Sequence, residues 1–148
     1  MALPFHNQVR LTGFPFEDSQ LTVKLASGIT ANDCGKALTQ DTSADNTMKL
    51  AGDGDPIDAV LLTFEDRTAI EGIRVGTATF RFAMTLPVKS GLSGAAVPAR
   101  GSRLCGAGNG EVKAIDFSTP TAALAQLYAA APRAWAVNGL VVDATKIA

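Results

Sequence analysis

The sequence predicts a mainly β protein: a single domain with a barrel-like or sandwich-like fold of about six to eight short strands, one short helix and an extended N-terminal arm. Three observations predict it. Short apolar or alternating segments recur along the chain, turns rich in Gly, Pro and Asn separate them, and helical spacing occurs in one segment near the C-terminal end. We expect the arm over residues 1–18 and one β domain over residues 19–148, long enough to bury about two thirds of its unfolded surface.

The arm is predicted because the first 18 residues show neither strand nor helix periodicity. They nevertheless contain Phe5, Phe14 and Phe16, and each phenylalanine buries roughly 150–250 Å² when it is fully covered. No local element covers this apolar area, so either the core of the same domain or a neighbouring subunit must do so. The candidate contact residues of the arm are Leu3, Pro4, Phe5, Val9, Leu11, Phe14 and Phe16.

Residues 35–67 predict two strands, a turn and a third strand. Short β segments are expected at residues 36–40 and 47–50, followed by a tight acidic turn. The next strand, residues 59–64, is apolar on both faces before the chain becomes charged, which is typical of a strand covered on both sides.

Two further strands flank this region. Residues 21–25 alternate between apolar and polar side chains, the pattern of a half-buried strand. Residues 75–84 are expected to form one long strand that ends before or at Pro87. Its predicted core-facing residues are Ala78, Phe80, Phe82 and Met84.

The C-terminal third predicts a hairpin, a helix and a final β segment. Asn109-Gly110 tolerates positive φ and favours a hairpin between flanking apolar residues. Residues 118–120 are expected to start a helix of about three turns that stops at Pro132. Residues 135–142 have strand composition and form either a hairpin or a bulged strand. The expected buried face of the helix contains Leu124, Leu127, Tyr128 and Ala131.

Composition excludes several functional classes. Thirteen basic and fourteen acidic residues give a net charge of −1, and the chain has no basic run, which argues against direct nucleic-acid binding. It also has no secretory signal pattern and no apolar stretch of the ~20 residues needed to span a bilayer, so we expect a soluble protein made in the cytoplasm. Cys34 and Cys105 lie far apart, outside any Cys-x-x-Cys spacing, and we expect two buried, unreactive thiols.

No metal or other cofactor is expected. Asp53, Asp55 and Asp58 have the spacing of oxygen ligands, but the position at which an EF-hand requires a bidentate glutamate is Phe64. A solvated turn explains these residues better, since Gly and Asp tolerate unusual backbone angles and Pro56 restricts φ.

The sequence also argues against an enzyme, and no catalytic residue is assigned. Glu65, Asp66 and Arg67 form a charged cluster with Glu71 that contains candidate paired carboxylates, but a solvated strand end explains it more simply. The only histidine, His6, lies in the arm, where a preorganised nucleophile and base are not expected. The glycines of residues 106–110 lack the Lys and Ser/Thr that complete a phosphate loop.

With its Gly52-Asp53-Gly54 turn between β segments, the pattern of residues 35–67 resembles the head decoration, or capsid cement, proteins of tailed bacteriophages. The resemblance implies a mostly β protein without a cofactor, made in the host cytoplasm and located on the outer surface of the virion capsid. It also implies a homotrimer or dimer that clamps neighbouring major capsid proteins, with no membrane or direct nucleic-acid contact. The apolar arm residues above are then partner-binding, and the charged segment of Glu65, Asp66 and Arg67 is a further contact with the shell.

Three alternatives remain open. One is another virion β protein, such as a tail-tube component. Another is a carbohydrate-binding module, for which only Trp135 and Tyr128 are suitable, and helical spacing places Tyr128 on the buried face. The third is a dUTPase-like nucleotide hydrolase; Ser93-Gly94 is present, but residues 139–148 contain neither the Arg nor the aromatic residue that such a site needs.

Overall fold

The computed structural model describes residues 19–138 and 141–146, and the side chains of residues 19–134. The predicted arm and the side chain of Trp135 therefore lie outside the described residues. The predictions for this arm concern His6 and the contact residues Leu3, Pro4, Phe5, Val9, Leu11, Phe14 and Phe16.

Five strands close a barrel in which each strand is hydrogen-bonded to the next and the last returns to the first. Four of the five strand pairs are antiparallel, and the pair β1–β3 is parallel. Closure gives each strand of this ring a hydrogen-bonded neighbour on both sides. In ring order the strands are β1 (Gln20–Leu25), β3 (Thr47–Leu50), β2 (Ala37–Gln40), β4 (Ala59–Leu61) and β6 (Ile73–Thr79).

The predicted strand over residues 59–64 is shorter than expected, because a bulge follows its third residue. β4 ends at Leu61, and β5 (Glu65–Arg67) continues along the same edge of β6 with its register shifted by one residue. At the bulge, the backbone N–H groups of Leu62 and Thr63 both donate to the carbonyl of Thr77, at 2.8 and 3.5 Å. Gly76 makes room for the bulge, because a Cβ there would overlap the carbonyl oxygen of Thr63.

The expected single strand over residues 75–84 is wrong. β6 ends at Thr79 and pairs within the barrel, whereas β7 (Phe82–Pro87) pairs with β11 in a second sheet. The chain passes from one core to the other at residues 80–81, so Phe80 packs against the barrel core while Phe82 is fully buried in the second core. β7 does end at Pro87, as predicted.

The second sheet has the antiparallel order β10 (Arg133–Asn138), β11 (Val141–Lys146), β7. Both expected features are present, because β10 and β11 pair as a hairpin and their register shifts between Ala134 and Ala136. The predicted Asn-Gly hairpin is confirmed as β8 (Leu104–Gly106) and β9 (Val112–Ala114). Single bridges, Val88 to Val112 and Arg103 to Arg133, connect this hairpin to both sides of the three-stranded sheet.

Two apolar cores meet at the wall between the barrel and the second sheet. Ala59 and Leu61 face the barrel core, while Val60 between them faces the second core with Phe82 and Leu86. This arrangement explains why β4 is apolar on both faces, as the sequence predicted.

A short 3₁₀ helix, Ala31–Asp33, precedes β2 and is closed by one carboxylate. Asp33 accepts hydrogen bonds from the backbone N–H of Thr30 at 2.8 Å and from Lys36 Nζ at 2.7 Å. Burial raises the pKa of the Asp33 carboxyl, but the hydrogen bonds from Lys36 and Thr30 together outweigh it and hold that pKa below its ordinary value of 3.8.

Two α-helices occur in the described residues. α1 (Thr68–Glu71) is one turn between β5 and β6, and α2 (Ala122–Ala130) is the predicted helix. The N-cap of α2 is Thr121, whose Oγ1 accepts a hydrogen bond from the backbone N–H of Leu124 at 3.1 Å. Within the described residues the chain forms eleven strands. The mainly β prediction is thus confirmed, with more strands and one more helix than expected because long segments are divided.

Candidate interaction surface

Helix α2 lies on the surface although its sequence is almost entirely apolar. Its nine residues include no charged side chain, and none of them is buried. Leu124 and Leu127 are half-buried against the cluster of Cys105 and Ile115, but Ala125 on the outer face is exposed. A helix that is apolar on all sides is normally covered on all sides. The described domain covers α2 on one side and leaves the other side exposed.

An aromatic pair extends this surface. The ring centroids of Phe117 and Tyr128 are 4.8 Å apart, and both residues remain more than a third exposed. Arg103 lies over Tyr128, with its guanidinium carbon 5.8 Å from the ring centroid, and donates a hydrogen bond to the carbonyl of Ala131 at 2.8 Å. Aromatic residues and arginine are the side chains enriched at protein interfaces.

The position of Tyr128 corrects the sequence prediction. Helical spacing placed it on the buried face, but it points along the surface toward Phe117, beyond the edge of the covered stripe. The two rings are tilted by 37° and stack on each other, so they do not present one flat platform to a sugar ring.

Two hollows lie beside the barrel and share one residue. The α2 groove is a hollow of about 550 Å³ between the helix and the β3–β4 turn, lined by Pro56, Ile57 and Leu127 among others. The barrel-mouth hollow has about 410 Å³ and is lined by the apolar residues Leu21, Val23, Met48 and Phe80, with Gln40, Asn46, Thr47 and Asp58 at its polar side. Asp58 lines both, so the two hollows adjoin.

The charged segment of Glu65, Asp66 and Arg67 is exposed, as the sequence predicted. Arg67 pairs with Glu65, Nε to Oε1, at 3.0 Å and with Glu71 at 3.7 Å. The hydrogen bond from Arg67 lowers the pKa of Glu65, and hydrogen bonds from Thr68 lower the pKa of Asp66. Both carboxyls are therefore ionised at neutral pH.

Ile70 stands beside this charged segment on helix α1 and is 89% exposed, the highest value of any large apolar residue described. Periodicity in the sequence does not single it out. The available signal was one isoleucine in a short connection between Arg67 and Glu71, because a one-turn helix between two strands has no core to face.

The Gly52-Asp53-Gly54 turn joins the barrel to the β8–β9 hairpin. Asp53 accepts a hydrogen bond from Lys113 Nζ at 2.7 Å, and the backbone N–H of Gly54 donates to the carbonyl of Gly106 at 2.9 Å. The hydrogen bond from Lys113 lowers the pKa of Asp53. The predicted solvated turn is present, and through these two hydrogen bonds it also connects the barrel to the hairpin.

The other two carboxylates of the turn also have partners within the protein. Asp55 accepts from the backbone N–H of Gly52 at 2.9 Å, and Asp58 accepts from the backbone N–H of Gln40 at 3.0 Å and from Thr39 Oγ1 at 3.2 Å. Among the residues that the structure describes, no three His, Cys, Asp or Glu side chains gather as metal ligands.

The cysteines differ from the expectation of two buried thiols. Cys105 is buried beneath α2, and burial raises the pKa of its thiol. Cys34 is exposed where the chain leaves the 3₁₀ helix, so this part of the prediction is wrong.

No helix in the described ranges is long and apolar enough to cross a membrane. Comparison of the chain with protein-family models, with curated proteins and with solved structures finds no match.

Proposed function

We propose that this protein is a structural, non-enzymatic component of a phage virion. It binds the outer surface of the capsid and clamps neighbouring major capsid proteins, as a homotrimer or a dimer, and thereby stabilises the DNA-filled head. The observation that carries the proposal is helix α2, an uncharged surface helix with no buried residue, extended by the Phe117–Tyr128 pair. Such a surface is suited to a protein partner, because covering it removes apolar area from water at about 25 cal/mol per Å².

The proposed partner contacts combine this surface with segments predicted from the sequence. The arm adds large apolar side chains, and the exposed charged segment beside Ile70 adds a second, polar contact. Several modest contacts on each subunit, repeated within an oligomer, act together and raise the apparent affinity by multivalency. The proposed partner-binding residues are Leu3, Pro4, Phe5, Val9, Leu11, Phe14, Phe16, Glu65, Asp66 and Arg67, joined by the outer face of α2.

The direct test is binding to expanded, undecorated phage heads. Purified protein is mixed with heads, the heads are pelleted, and bound protein is measured against capsid protein. We expect saturation at a fixed stoichiometric ratio, whereas failure to bind any such shell would contradict the proposed function.

Two variants assign the contact surface. Ala125→Glu places a charge on the exposed face of α2. We expect the affinity of this variant for heads to fall at least about tenfold, because burying a charge in an apolar interface costs free energy. Ala44→Glu makes the same change at another exposed position and serves as the matched control. Equal binding by both variants would exclude α2 as the contact.

A further inference from the structure

Arginines gather where the β8–β9 hairpin meets the second sheet. Arg103 and Arg133 lie directly opposite each other in an antiparallel bridge, which places their side chains on the same face. Pro132 and Ala134, the neighbours of Arg133, are buried, so this face is the outer one. Arg100 is exposed in the turn that leads to Arg103. We call Arg100, Arg103 and Arg133 the arginine patch.

Backbone hydrogen bonds hold Arg100 beside the opposed pair. Arg100 lies in a tight turn in which the N–H of Ser102 donates to the carbonyl of Ala99 at 3.0 Å, and Ser102 Oγ accepts from the N–H of Ala99 at 3.0 Å. The turn is attached to β10, because Gly101 donates to the carbonyl of Ala134 at 2.7 Å and Ala134 donates to the carbonyl of Ser102 at 2.9 Å. The backbone of the patch is therefore ordered before any partner binds, which lowers the entropy cost of binding.

Among the described side chains, the arginine patch has no acidic partner. The ion pairs of that part of the structure all involve other basic residues. The carboxylate of Asp116, which follows the residue paired with Arg103, accepts from the backbone N–H of Ser118 at 3.0 Å. Like charges directly opposite each other on paired strands destabilise a sheet. The hydrogen bond to Ala131 uses one of the five N–H donors of Arg103, so the patch retains donors and positive charge for an anion.

The aromatic pair indicates the class of that anion. The rings of Phe117 and Tyr128 lie against each other, and Arg103 lies over Tyr128. Single-stranded nucleic acid is bound by rings on which successive bases stack, within a long basic groove. Three arginines in a chain of net charge −1 without a basic run do not form such a groove. Arginine binds carboxylates through two parallel hydrogen bonds, and arginine beside aromatic residues is typical of protein interfaces.

We propose that the arginine patch binds a short acidic segment of a partner protein. Carboxylates of Asp or Glu residues in that segment accept hydrogen bonds from the arginines, and the Phe117–Tyr128 pair covers apolar side chains next to them. Binding then removes the like-charge repulsion between Arg103 and Arg133 that the free protein retains. This inference deepens the proposed function, and it rests on that function only in identifying the partner as capsid protein.

The first test uses the full-length protein and a fluorescently labelled oligoglutamate peptide, with an oligoglutamine peptide of the same length as the neutral probe. We expect the wild type to bind oligoglutamate, more weakly as salt is added, and not to bind oligoglutamine. Arg100→Glu and Arg133→Glu should each weaken this binding at least about fivefold. The matched control is Lys24→Glu, the same charge change at an exposed position of β1, which should alter the affinity by less than about twofold.

Thermal melts of the free protein separate a binding role of Arg133 from a structural one. Arg133→Glu places opposite charges across the bridge to Arg103, so we expect the melting temperature to stay level or to rise by up to about 4 °C. Peptide binding and stability then change in opposite directions. A fall in melting temperature of more than about 4 °C would show that Arg133 is structural and would contradict the proposal.

Other outcomes would also overturn the proposal. These are failure of the wild type to bind oligoglutamate, and equal binding by the wild type, Arg100→Glu and Arg133→Glu. Tighter binding of an oligothymidylate, lost in the same two variants, would assign the patch to nucleic acid.

Binding of the same variants to expanded heads distinguishes this inference from the proposed function. Heads that bind the wild type and both variants equally would contradict the inference and leave the function standing. Binding of oligoglutamate through the patch without binding to heads would contradict the function alone.

Discussion

Replacing Gly106 with alanine tests the joint between the barrel and the β8–β9 hairpin. A Cβ at this position would overlap the carbonyl oxygen of Gly52 and lie 3.0 Å from the Cβ of Ala51. If the hairpin stays in place, overpacking costs about 1–3 kcal/mol. If the hairpin moves away, Gly106 loses two backbone hydrogen bonds: the one that its carbonyl accepts from Gly54 and the one that its N–H donates to Asp55. Each loss lowers the free energy of unfolding by about 1 kcal/mol.

Either response lowers the free energy of unfolding by about 1–3 kcal/mol, which corresponds to a fall in melting temperature of about 2–12 °C for a domain of this size. Urea unfolding of the purified Gly106→Ala variant and of the wild type measures this difference in the free energy of unfolding. Gly108→Asn is the matched control in the same hairpin, because Gly108 has φ 101 with no atom near its absent Cβ, and asparagine is the residue that best tolerates positive φ. We expect a loss below about 1 kcal/mol for the control. A Gly106→Ala protein as stable as the wild type, or more stable than Gly108→Asn, would refute the close approach.

Three further predictions concern the core, one carboxylate and the thiols. Phe82→Ala should destabilise the protein by about 3–5 kcal/mol in urea, because Phe82 is fully buried, whereas Ile70→Ala should stay within about 0.5 kcal/mol. Asp33→Asn should lower the free energy of unfolding by about 1 kcal/mol at neutral pH. Because the folded-state pKa of Asp33 is lowered, this difference from the wild type should be fully present above pH 3.8 and should disappear as the pH falls through the folded-state pKa. A pH-independent difference would contradict this. A water-soluble thiol reagent should modify Cys34 in the native protein and Cys105 only after unfolding. The variant Cys34→Ser should therefore not react while it is folded. Rapid modification of Cys105 in the native protein would contradict its burial.

Elements encoded by a few neighbouring residues were predicted correctly. The Asn109-Gly110 turn has positive φ at both residues, 56° and 72°, and β3 has the predicted bounds Thr47–Leu50. Such elements depend on backbone preferences and on short-range hydrogen bonds, which the sequence alone contains. The helix near the C-terminal end was also predicted for this reason, although its cap is Thr121, three residues after the predicted start.

Elements that depend on the second core were predicted poorly. Alternation over residues 75–84 indicates β structure, but Phe80 and Phe82 lie in different cores because the chain changes sheets between them. The bulge before β5 is equally invisible in the sequence, since it depends on Gly76 of a distant strand allowing the carbonyl of Thr63 to approach.

The candidate interaction surface shows the same division. The spacing of Leu124 and Leu127 predicts that a helix exists and which side faces the domain, and that side does contact Cys105 and Ile115. It does not predict how much of the helix the domain covers. The lack of any charge in Ala122–Ala130 was the available signal for an exposed apolar surface.

The sequence by itself determined a mainly β chain, its principal turns and its one longer helix, because hydrophobic periodicity and the backbone preferences of Gly, Asn and Pro act over a few residues. The tertiary structure alone decided that five strands close a barrel, that β4 separates two cores, and that the Gly52-Asp53-Gly54 turn holds a hairpin 50 residues later in the chain. It also decided which apolar residues remain exposed. Burial depends on what lies opposite each side chain, and that partner comes from a distant part of the chain.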